Sequence, residues 1–384
     1  MNASARSVGI GTRLLTAIAT LGPTGRLLAT RLDLLRELGI RGTYGQRTSL
    51  AASRTWAPAA RRAIYLEIWQ EAADEVGATL QVLDEEHLEL HDGDRTTVVR
   101  FHHVQIDDQV SLELALDKSL AQRLLSEAGV PLPRGIEMDE SDVQSGLEFL
   151  SDIAGPCVVK PARGTSGGSG VTCGVVTPDD FQRARLRASR WDDRMLLEQM
   201  VVGDEYRLLF LEGALLDVLR RRPPRVVGDG RSTVAALVEA ENGRRAASGG
   251  RSGMSFLQVD LDCVLALRRG GWTLRSVPPD GTTVVLKSTA NENAAHDNET
   301  VPADALAPAL LADARRAVDA IGLRLAAVEL MTPDPSRSLE SVGGAILEVN
   351  GTPGLHYHAL VADPMGATRV AVPILRRLLK GRPA

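Results

Sequence analysis

Near the C-terminus the chain reads Ala345-Ile346-Leu347-Glu348-Val349-Asn350-Gly351-Thr352-Pro353-Gly354. The apolar run predicts a buried strand, and Glu348 and Asn350 are two positions apart, so they project from the same face of it. A buried carboxylate is costly unless something compensates its charge. Because hard oxygen ligands suit Mg²⁺, which also holds phosphates, the pair predicts a magnesium site. The glycines and the proline that follow predict a sharp turn beside it.

A second segment points to phosphate binding. Residues 156–161 form a short apolar run that ends in Lys160-Pro161, and a loop with four glycines and three hydroxyl side chains follows at 162–171. Backbone N–H groups of such a loop can surround phosphate oxygens, and Lys160 adds a point charge for the same anions. The loop is not a Walker A sequence, because its lysine precedes the glycines.

A third segment places another acid beside the first strand. Residues 323–331 are apolar except for Arg324 and Glu329. If this strand pairs with the Glu348 strand, Glu329, Glu348 and Asn350 share one face, and three oxygen ligands together with phosphates can hold two Mg²⁺ ions. The alternative for Glu329 is an ordinary acid on a surface hairpin.

These segments, with Glu198 between them, resemble the ATP-grasp superfamily of carboxylate–amine ligases from about residue 116 to the end. Residues 204–207 (Asp-Glu-Tyr-Arg) and 226–234 are similar to the ATP-grasp modules of cyanophycin synthetase and bifunctional glutathione synthetase. The resemblance implies an α+β fold with two lobes that grip ATP, preceded by an N-terminal α/β pre-ATP-grasp domain. The expected division is 1–112 for that domain, 113–200 for the smaller lobe with the phosphate loop, and 201–384 for the larger lobe with the metal site.

The same resemblance implies a role for individual residues. The expected phosphate ligands are Lys118, Lys160, Gly167, Gly168 and Ser169. Glu198 and the backbone of Gln199 and Val201 would face the adenine, and Glu205 would bind the ribose. Glu329, Glu348 and Asn350 would hold the metal, although the family usually has an aspartate where this chain has Glu329.

Four further residues are expected on the reacting side of the site. Arg207, Arg221 and Lys287 are candidate clamps for the γ-phosphate and its developing charge. Arg221 lies between Arg220 and Arg222, so a surface cation is the alternative there. Asn291 resembles a family asparagine, but Ala294 and Ala295 replace the glycines that usually follow it, which indicates a changed substrate. His356 and His358 form an H-x-H pair without a recognisable third metal ligand.

The resemblance implies an ATP-dependent ligase that joins a carboxylate and an amine through an acyl phosphate, acting on an amino acid or small peptide in a biosynthetic pathway. Two alternatives stay open: an ATP-grasp phosphotransferase, and a nucleotide-binding regulator without turnover. The implied cofactors are ATP and two Mg²⁺ ions, with Mn²⁺ as a substitute. Family members are often oligomers, so a homodimer or homotetramer is expected.

Composition excludes other classes. The net charge of −5 is too small to indicate nucleic-acid binding. The odd number of cysteines, with no C-x-x-C pair, favours a reducing cytoplasm. No apolar run is long enough to span a membrane, and the N-terminal apolar stretch is too short and broken for a signal peptide. The arginines of the 183–190 segment, on a predicted helix, are expected on a solvated face.

The first part of the chain carries no sharp motif. Residues 14–21 predict a strand, and residues 26–38 and 58–76 predict helices that end at Gly39 and Gly77. Residues 79–83 and 97–104 predict two more strands. This alternation of strands and helices predicts a small α/β unit.

Overall fold

The computed structural model describes residues 8–165, 167–253 and 255–380, and for residues 40–55 it describes the backbone alone. The helices in these ranges are α1 Ile10–Ala19, α2 Pro23–Val76, α3 Gln109–Leu116, α4 Lys118–Glu127, α5 Val143–Asp152, α6 Pro178–Ala188, α7 Val234–Ala247, α8 Leu261–Arg269, α9 Pro308–Ile321, α10 Leu339–Val342, α11 His356–Ala359 and α12 Ala371–Leu379. The strands are β1 Thr79–Val82, β2 His87–Asp92, β3 Arg95–Arg100, β4 Gly135–Asp139, β5 Cys157–Pro161, β6 Thr172–Val175, β7 Arg194–Gln199, β8 Asp204–Leu211, β9 Ala214–Arg221, β10 Arg225–Val227, β11 Thr283–Val285, β12 Asn298–Thr300, β13 Leu325–Thr332 and β14 Ala345–Asn350. Within the described ranges, no helix combines the length and the apolar character that crossing a bilayer requires.

The predicted strand over residues 14–21 is wrong, because this segment belongs to helix α1. The β-branched Thr16, Ile18 and Thr20 favour a strand locally, but Leu15 and Ala19, one helical turn apart, are buried against Ala29 of α2 and Leu186 of α6. Tertiary packing therefore overrides local propensity.

The first part of the chain consequently does not alternate strands and helices. Two helices come first, and the antiparallel sheet β1-β2-β3 follows. Helix α2 includes both predicted helices, and it departs from helical geometry at Gly39, where φ is 70° and ψ is 176°. The division of the chain at residues 112 and 200 stays a prediction.

A four-stranded antiparallel sheet, in the order β4-β7-β5-β6, carries the phosphate-loop segment. Its core is formed by residues such as Val159, Leu197 and Phe181, all of which are completely buried. Strand β5 is flanked by β7 and β6, so Lys160 is held on an interior strand.

A five-stranded antiparallel sheet, in the order β12-β9-β8-β13-β14, separates two cores. One face packs Leu208, Val328 and Ile346 against helix α9. The other face packs against the second half of α2 and against α12, through residues that include Leu209 of β8 and Ala327 of β13. Because side chains alternate along a strand, Glu205, Arg207 and Glu329 lie on the same face as α2.

The expectation of a solvated arginine face on α6 is wrong. Arg183 and Arg185 are buried, and the guanidinium of Arg183 contacts Asp33 at 2.8 Å and Glu37 at 2.7 Å, both in the first half of α2. Helix α2 covers α6 and supplies acids for its cations, which satisfies the rule that buried charges are paired. Helix α2 thus contacts α6 with its first half and the five-stranded sheet with its second.

Candidate functional site

The two acid-bearing strands pair as the sequence predicts. Strands β13 and β14 are antiparallel, with Glu329 directly opposite Glu348 and Ala327 opposite Asn350. On the other side of β13, Arg207 of β8 lies opposite Glu329. The two carboxylates and the amide therefore project from one face of the sheet, beside an arginine.

Each of these carboxylates has a cationic partner. Glu329 forms an ion pair with Arg207, and Lys118 Nζ lies 3.1 Å from Glu348 Oε1. Burial raises the pKa of the Glu329 carboxyl, and the neighbouring acids Glu205 and Glu348 add to this rise while Arg207 opposes it. A cation placed between the two glutamates would favour the ionised form of Glu329.

Helices α3 and α4 are separated at Asp117, and this break positions Lys118 at the start of α4. The Asp117 carboxylate caps α4 by accepting the Leu120 N–H at 3.1 Å and is also paired with Arg163. The Lys118 N–H donates to the Ala162 carbonyl at 3.0 Å, where the phosphate loop begins. Lys118 therefore bridges the loop and the five-stranded sheet.

Lys160 and Glu198 lie together on β5 and β7. Lys160 Nζ is 2.8 Å from Glu198 Oε1, and the Gln122 amide also donates to this carboxylate. Both side chains are almost completely buried, so this ion pair compensates the cost of burying each charge. The Gln199 N–H donates to the Arg134 carbonyl at 2.8 Å, so this N–H is not open to an adenine edge; the predicted contacts of Gln199 and Val201 with the base stay predictions.

The phosphate loop needs a glycine at position 168, where it lies against Asn291. Gly168 has φ 75°, and a Cβ there would lie 2.6 Å from Asn291 Nδ2. Asn291 thus lies against the predicted phosphate ligand Gly168, next to Gly167 and Ser169; Ser166 is outside the described residues.

The arginines of β8 and β9 are part of the interior, and the surface alternative for Arg221 is wrong. Arg221 has 0% of its surface exposed, and its guanidinium donates to Glu205 Oε1 at 2.5 Å. The ring of Tyr357 lies under both cations, with its centroid 4.4 Å from Arg221 and 5.1 Å from Arg207. The Nε atoms of both arginines are buried and have no hydrogen-bond partner among the described residues.

Lys287 has a different environment. It is buried between Asp260, at 2.9 Å, and Glu292, at 2.7 Å. Although burial alone would lower it, these two acids raise the pKa of Lys287. Its predicted function as an anion clamp stays a prediction, and it requires one of these ion pairs to open.

His356 and His358 have separate partners. His356 Nδ1 is 2.9 Å from the Tyr65 hydroxyl, whereas His358 Nδ1 is 2.6 Å from Asp217 Oδ2 in the interior. Among the described residues, no group of three or more histidines, cysteines or acids is placed to hold a metal. The H-x-H pair is therefore not arranged as a chelating site.

Sequence reasoning missed the residues that α2 and the turn after β3 bring to this face. Tyr65 is buried against His356, and His102 lies 5.8 Å from the Tyr65 ring. No local pattern marks either residue, because their position depends on packing of α2 on a sheet far along the chain. Tyr357 did have a signal, since it follows the predicted Pro-Gly turn.

The residues fit a divalent cation bound mainly by phosphate oxygens. Glu329, Glu348 and Asn350 offer the hard oxygen donors that Mg²⁺ prefers. The pKa of Glu329 is raised first by burial and then by the neighbouring acids Glu205 and Glu348. Arg207 and Lys118 supply positive charge here, so a metal ion would compete with them for the carboxylates.

Comparison with known proteins agrees with this geometry. Residues 117–204 match the family model described as the carbamoyl-phosphate synthase L chain, ATP binding domain. Cyanophycin synthetase of Trichormus variabilis is 33% identical over 262 residues, which cover 68% of this chain and 28% of that protein. The glutathione biosynthesis bifunctional protein GshAB of Streptococcus mutans is 31% identical over 293 residues, 73% of this chain and 38% of that protein.

The fold has a counterpart among solved structures. The crystal structure of a bifunctional glutathione synthetase from Pasteurella multocida covers 80% of this chain and 42% of that one, with 24% identity and a TM-score of 0.51. The predicted α+β ATP-grasp fold is confirmed, and so is the resemblance of the chain to the ATP-grasp superfamily. The chain is related to cyanophycin synthetases and to bifunctional glutathione biosynthesis proteins, and it spans between 28% and 38% of the length of the two relatives described above.

Proposed function

We propose that this chain is an ATP-dependent ligase that joins the carboxylate of one amino acid or small peptide to the amine of another. The observation that carries the proposal is that Glu329 and Glu348 lie directly opposite each other on paired strands. Lys118, at the start of α4, forms an ion pair with Glu348. The relationship to amide-forming synthetases supports the same chemistry.

In the proposed first step, an oxygen of the substrate carboxylate attacks the γ-phosphorus of ATP, and the bond from that phosphorus to the ADP oxygen breaks. Lys118 and Lys160 bind the phosphates, and Gly167, Gly168 and Ser169 donate backbone N–H groups. Arg207 and Arg221, adjacent across β8, β9 and β13, stabilise the negative charge on the transferred group.

In the second step, the amine nitrogen attacks the acyl carbon, the bond to the phosphate oxygen breaks, and phosphate leaves with the electron pair. The amine loses one proton to form the neutral amide. Asn291, which lies against Gly168 of the phosphate loop, orients the acyl group toward the amine substrate. Closure of the loop excludes water, which would otherwise hydrolyse the acyl phosphate.

Glu329, Glu348 and Asn350 would hold magnesium, which neutralises phosphate charge and aligns the triphosphate when bound. Glu198, with the backbone around Gln199 and Val201, would contact adenine, and Glu205 would bind the ribose. The chain would be organised as an N-terminal unit over 1–112, a smaller lobe over 113–200 and a larger lobe over 201–384.

The test is a screen of amino acids and dipeptides, supplied pairwise with ATP and magnesium, for phosphate release and for a product mass equal to the two substrates minus water. Glu348→Gln should reduce the rate roughly a hundredfold or more, because it removes a charge from the metal and phosphate site. The control is Glu340→Gln, which changes an exposed acid on α10.

Two outcomes would overturn the proposal. ADP formation with a stable phosphorylated product, and no released phosphate, would identify a phosphotransferase. Full activity of the Glu348→Gln protein would show that the paired acids do not take part.

A further inference from the structure

The N-terminal unit reaches the reacting face of the five-stranded sheet. Tyr65 of α2, with 1% of its surface exposed, contacts His356 through its hydroxyl at 2.9 Å. His356 in turn packs against Tyr357, with ring centroids 4.1 Å apart and a tilt of 37° between the rings. Tyr357 is the ring under Arg207 and Arg221, so a continuous series of contacts joins α2 to the two arginines.

The turn after β3 is held in a costly conformation at the same place. Phe101 has φ 54°, which is unfavourable for a bulky residue. The Trp69 indole N–H donates to the Phe101 carbonyl at 2.7 Å and fixes the turn to α2. The turn directs His102 toward Tyr65, and His102 Nδ1 is a buried atom without a hydrogen-bond partner among the described residues.

Positive charge is in excess around these rings. Arg61 is exposed on α2 above the Phe101 ring, at 6.0 Å from its centroid. In the part of the chain that the structure describes, no carboxylate lies within ion-pair distance of Arg61. After burial, the fields of cations such as Arg61 and Arg207 help lower the pKa of both His102 and His356. The rings are therefore neutral hydrogen-bonding groups in a positive field.

His356 and Tyr357 also border a small cavity on the expected reacting side of the site. A cavity of about 20 Å³, enough for one water molecule, is lined by residues that include Asn291, Ser255, His356 and Tyr357. Asn291 is the residue that lies against Gly168 of the phosphate loop. These contacts thus extend from Asn291 through His356 and Tyr65 to α2, where the guanidinium of Arg61 is exposed.

We infer that Arg61 and His102, supported by Tyr65 and His356, bind the free carboxylate of the substrate that supplies the amine. The inference rests on the proposed ligase function. A carboxylate suits the site because it supplies one negative charge for Arg61 and accepts a hydrogen bond from neutral His102. The N-terminal unit would then select amine substrates that carry a free carboxyl group over those in which it is amidated.

The first test compares each amine substrate as the free acid and as the carboxamide, by rates of phosphate release. In Arg61→Gln the KM for the free acid should rise roughly tenfold or more, with little change in kcat, because a charge-assisted hydrogen bond is lost. The carboxamide should be unaffected. Arg62→Gln is the matched control, since Arg62 is the adjacent exposed arginine and pairs with Glu85 at 2.6 Å. Equal effects on acid and amide, or no effect on either, would overturn the inference.

The second test does not need turnover. Imidazole resonances of ¹³C-labelled histidine, assigned with His102→Gln and His356→Gln, are followed while the common amino acids and a set of dipeptides are added with magnesium and a non-hydrolysable ATP analogue. Free acids should shift the His102 signal and carboxamides should not. A signal that no free acid moves would overturn the carboxylate site.

The two proposals fail separately. If phosphate release is absent with every pair but free acids shift the His102 signal, the ligase proposal fails and the carboxylate site stands. If phosphate release occurs and Arg61→Gln leaves KM unchanged, the ligase proposal stands and the carboxylate site fails.

Discussion

Arg207 and Glu329 lie directly opposite each other on β8 and β13, and their side chains form an ion pair at the centre of the acid-bearing face. Arg207 is buried and Glu329 is nearly so. The pair therefore holds the guanidinium and the carboxylate in place, although each is also a candidate for binding a substrate phosphate or a metal ion.

Removal of Arg207 should leave the buried Glu329 carboxylate with the more distant Arg221, 3.6 Å away, as its cationic partner. We expect Arg207→Met to lower the free energy of unfolding by about 3 kcal/mol. Removing one partner of a buried ion pair destabilises a protein more than replacing both partners by uncharged side chains. The double variant Arg207→Met/Glu329→Gln should recover most of this loss. Urea denaturation measures both, and a double variant no more stable than the single one would contradict the expectation.

Glycine at position 168 should be required for activity. In Gly168→Ala a methyl group meets Asn291 and the residue retains a left-handed backbone, which costs about 1–2 kcal/mol. We expect weaker ATP binding by titration and a lower rate of phosphate release. Gly243→Ala is the control, because nothing lies within 4 Å of a Cβ there and α7 continues through it; equal losses in both variants would contradict a local effect at the loop.

The neutral histidines should make stability depend on pH. Burial lowers the pKa of His102 to about 3 and that of His356 well below 6.5. At these two histidines the unfolded chain therefore binds more protons than the folded one below pH 6.5, and their contribution to stability falls as the pH drops from about 6.5 toward 3. Each such histidine contributes about 1.4 kcal/mol per pH unit in that range.

The test is urea denaturation from pH 7 to pH 5. His356→Gln should reduce the pH slope, whereas His296→Gln should not, because the His296 side chain is 62% exposed. An unchanged slope in His356→Gln would show that this ring does not stay neutral in the folded protein.

The contact between α6 and the start of α2 should depend on Arg183. We expect Arg183→Met to destabilise α1 and the first half of α2, since Asp33 and Glu37 lose their buried cation. Amide hydrogen exchange over residues 10–38 should accelerate relative to that of α12. Arg190→Met, at an exposed arginine two residues beyond α6, is the control, and equal acceleration in both variants would contradict the prediction.

The pairing of the two acid-bearing strands, β13 and β14, could be predicted because its signal is local. A two-residue spacing places Glu348 and Asn350 on one face, and the apolar run around Glu329 identifies its partner strand. The ion pairs could not be predicted in the same way, because Arg207 and Lys118 come from distant segments and their register depends on the whole sheet.

The structure of the first part of the chain was harder to predict from the sequence, because it also depends on packing between distant segments. Thr16, Ile18 and Thr20 carry a local strand preference that packing of Leu15 on α2 overrides. The arginines of α6 have the composition of a solvated surface, and only the tertiary position of Asp33 and Glu37 explains their burial. Tyr65 and His102 reach the site for the same reason, through packing that no spacing rule encodes.

Helix α2 packs with its two halves on two different parts of the molecule. Its first half is fixed to α6, which packs under the Lys160 sheet, and its second half is fixed to the sheet that carries Glu348. Gly39, where the helix already bends, lies between the two attachments. Any change in the distance between the two sheets would therefore have to be accommodated by a change in the bend of α2 at Gly39.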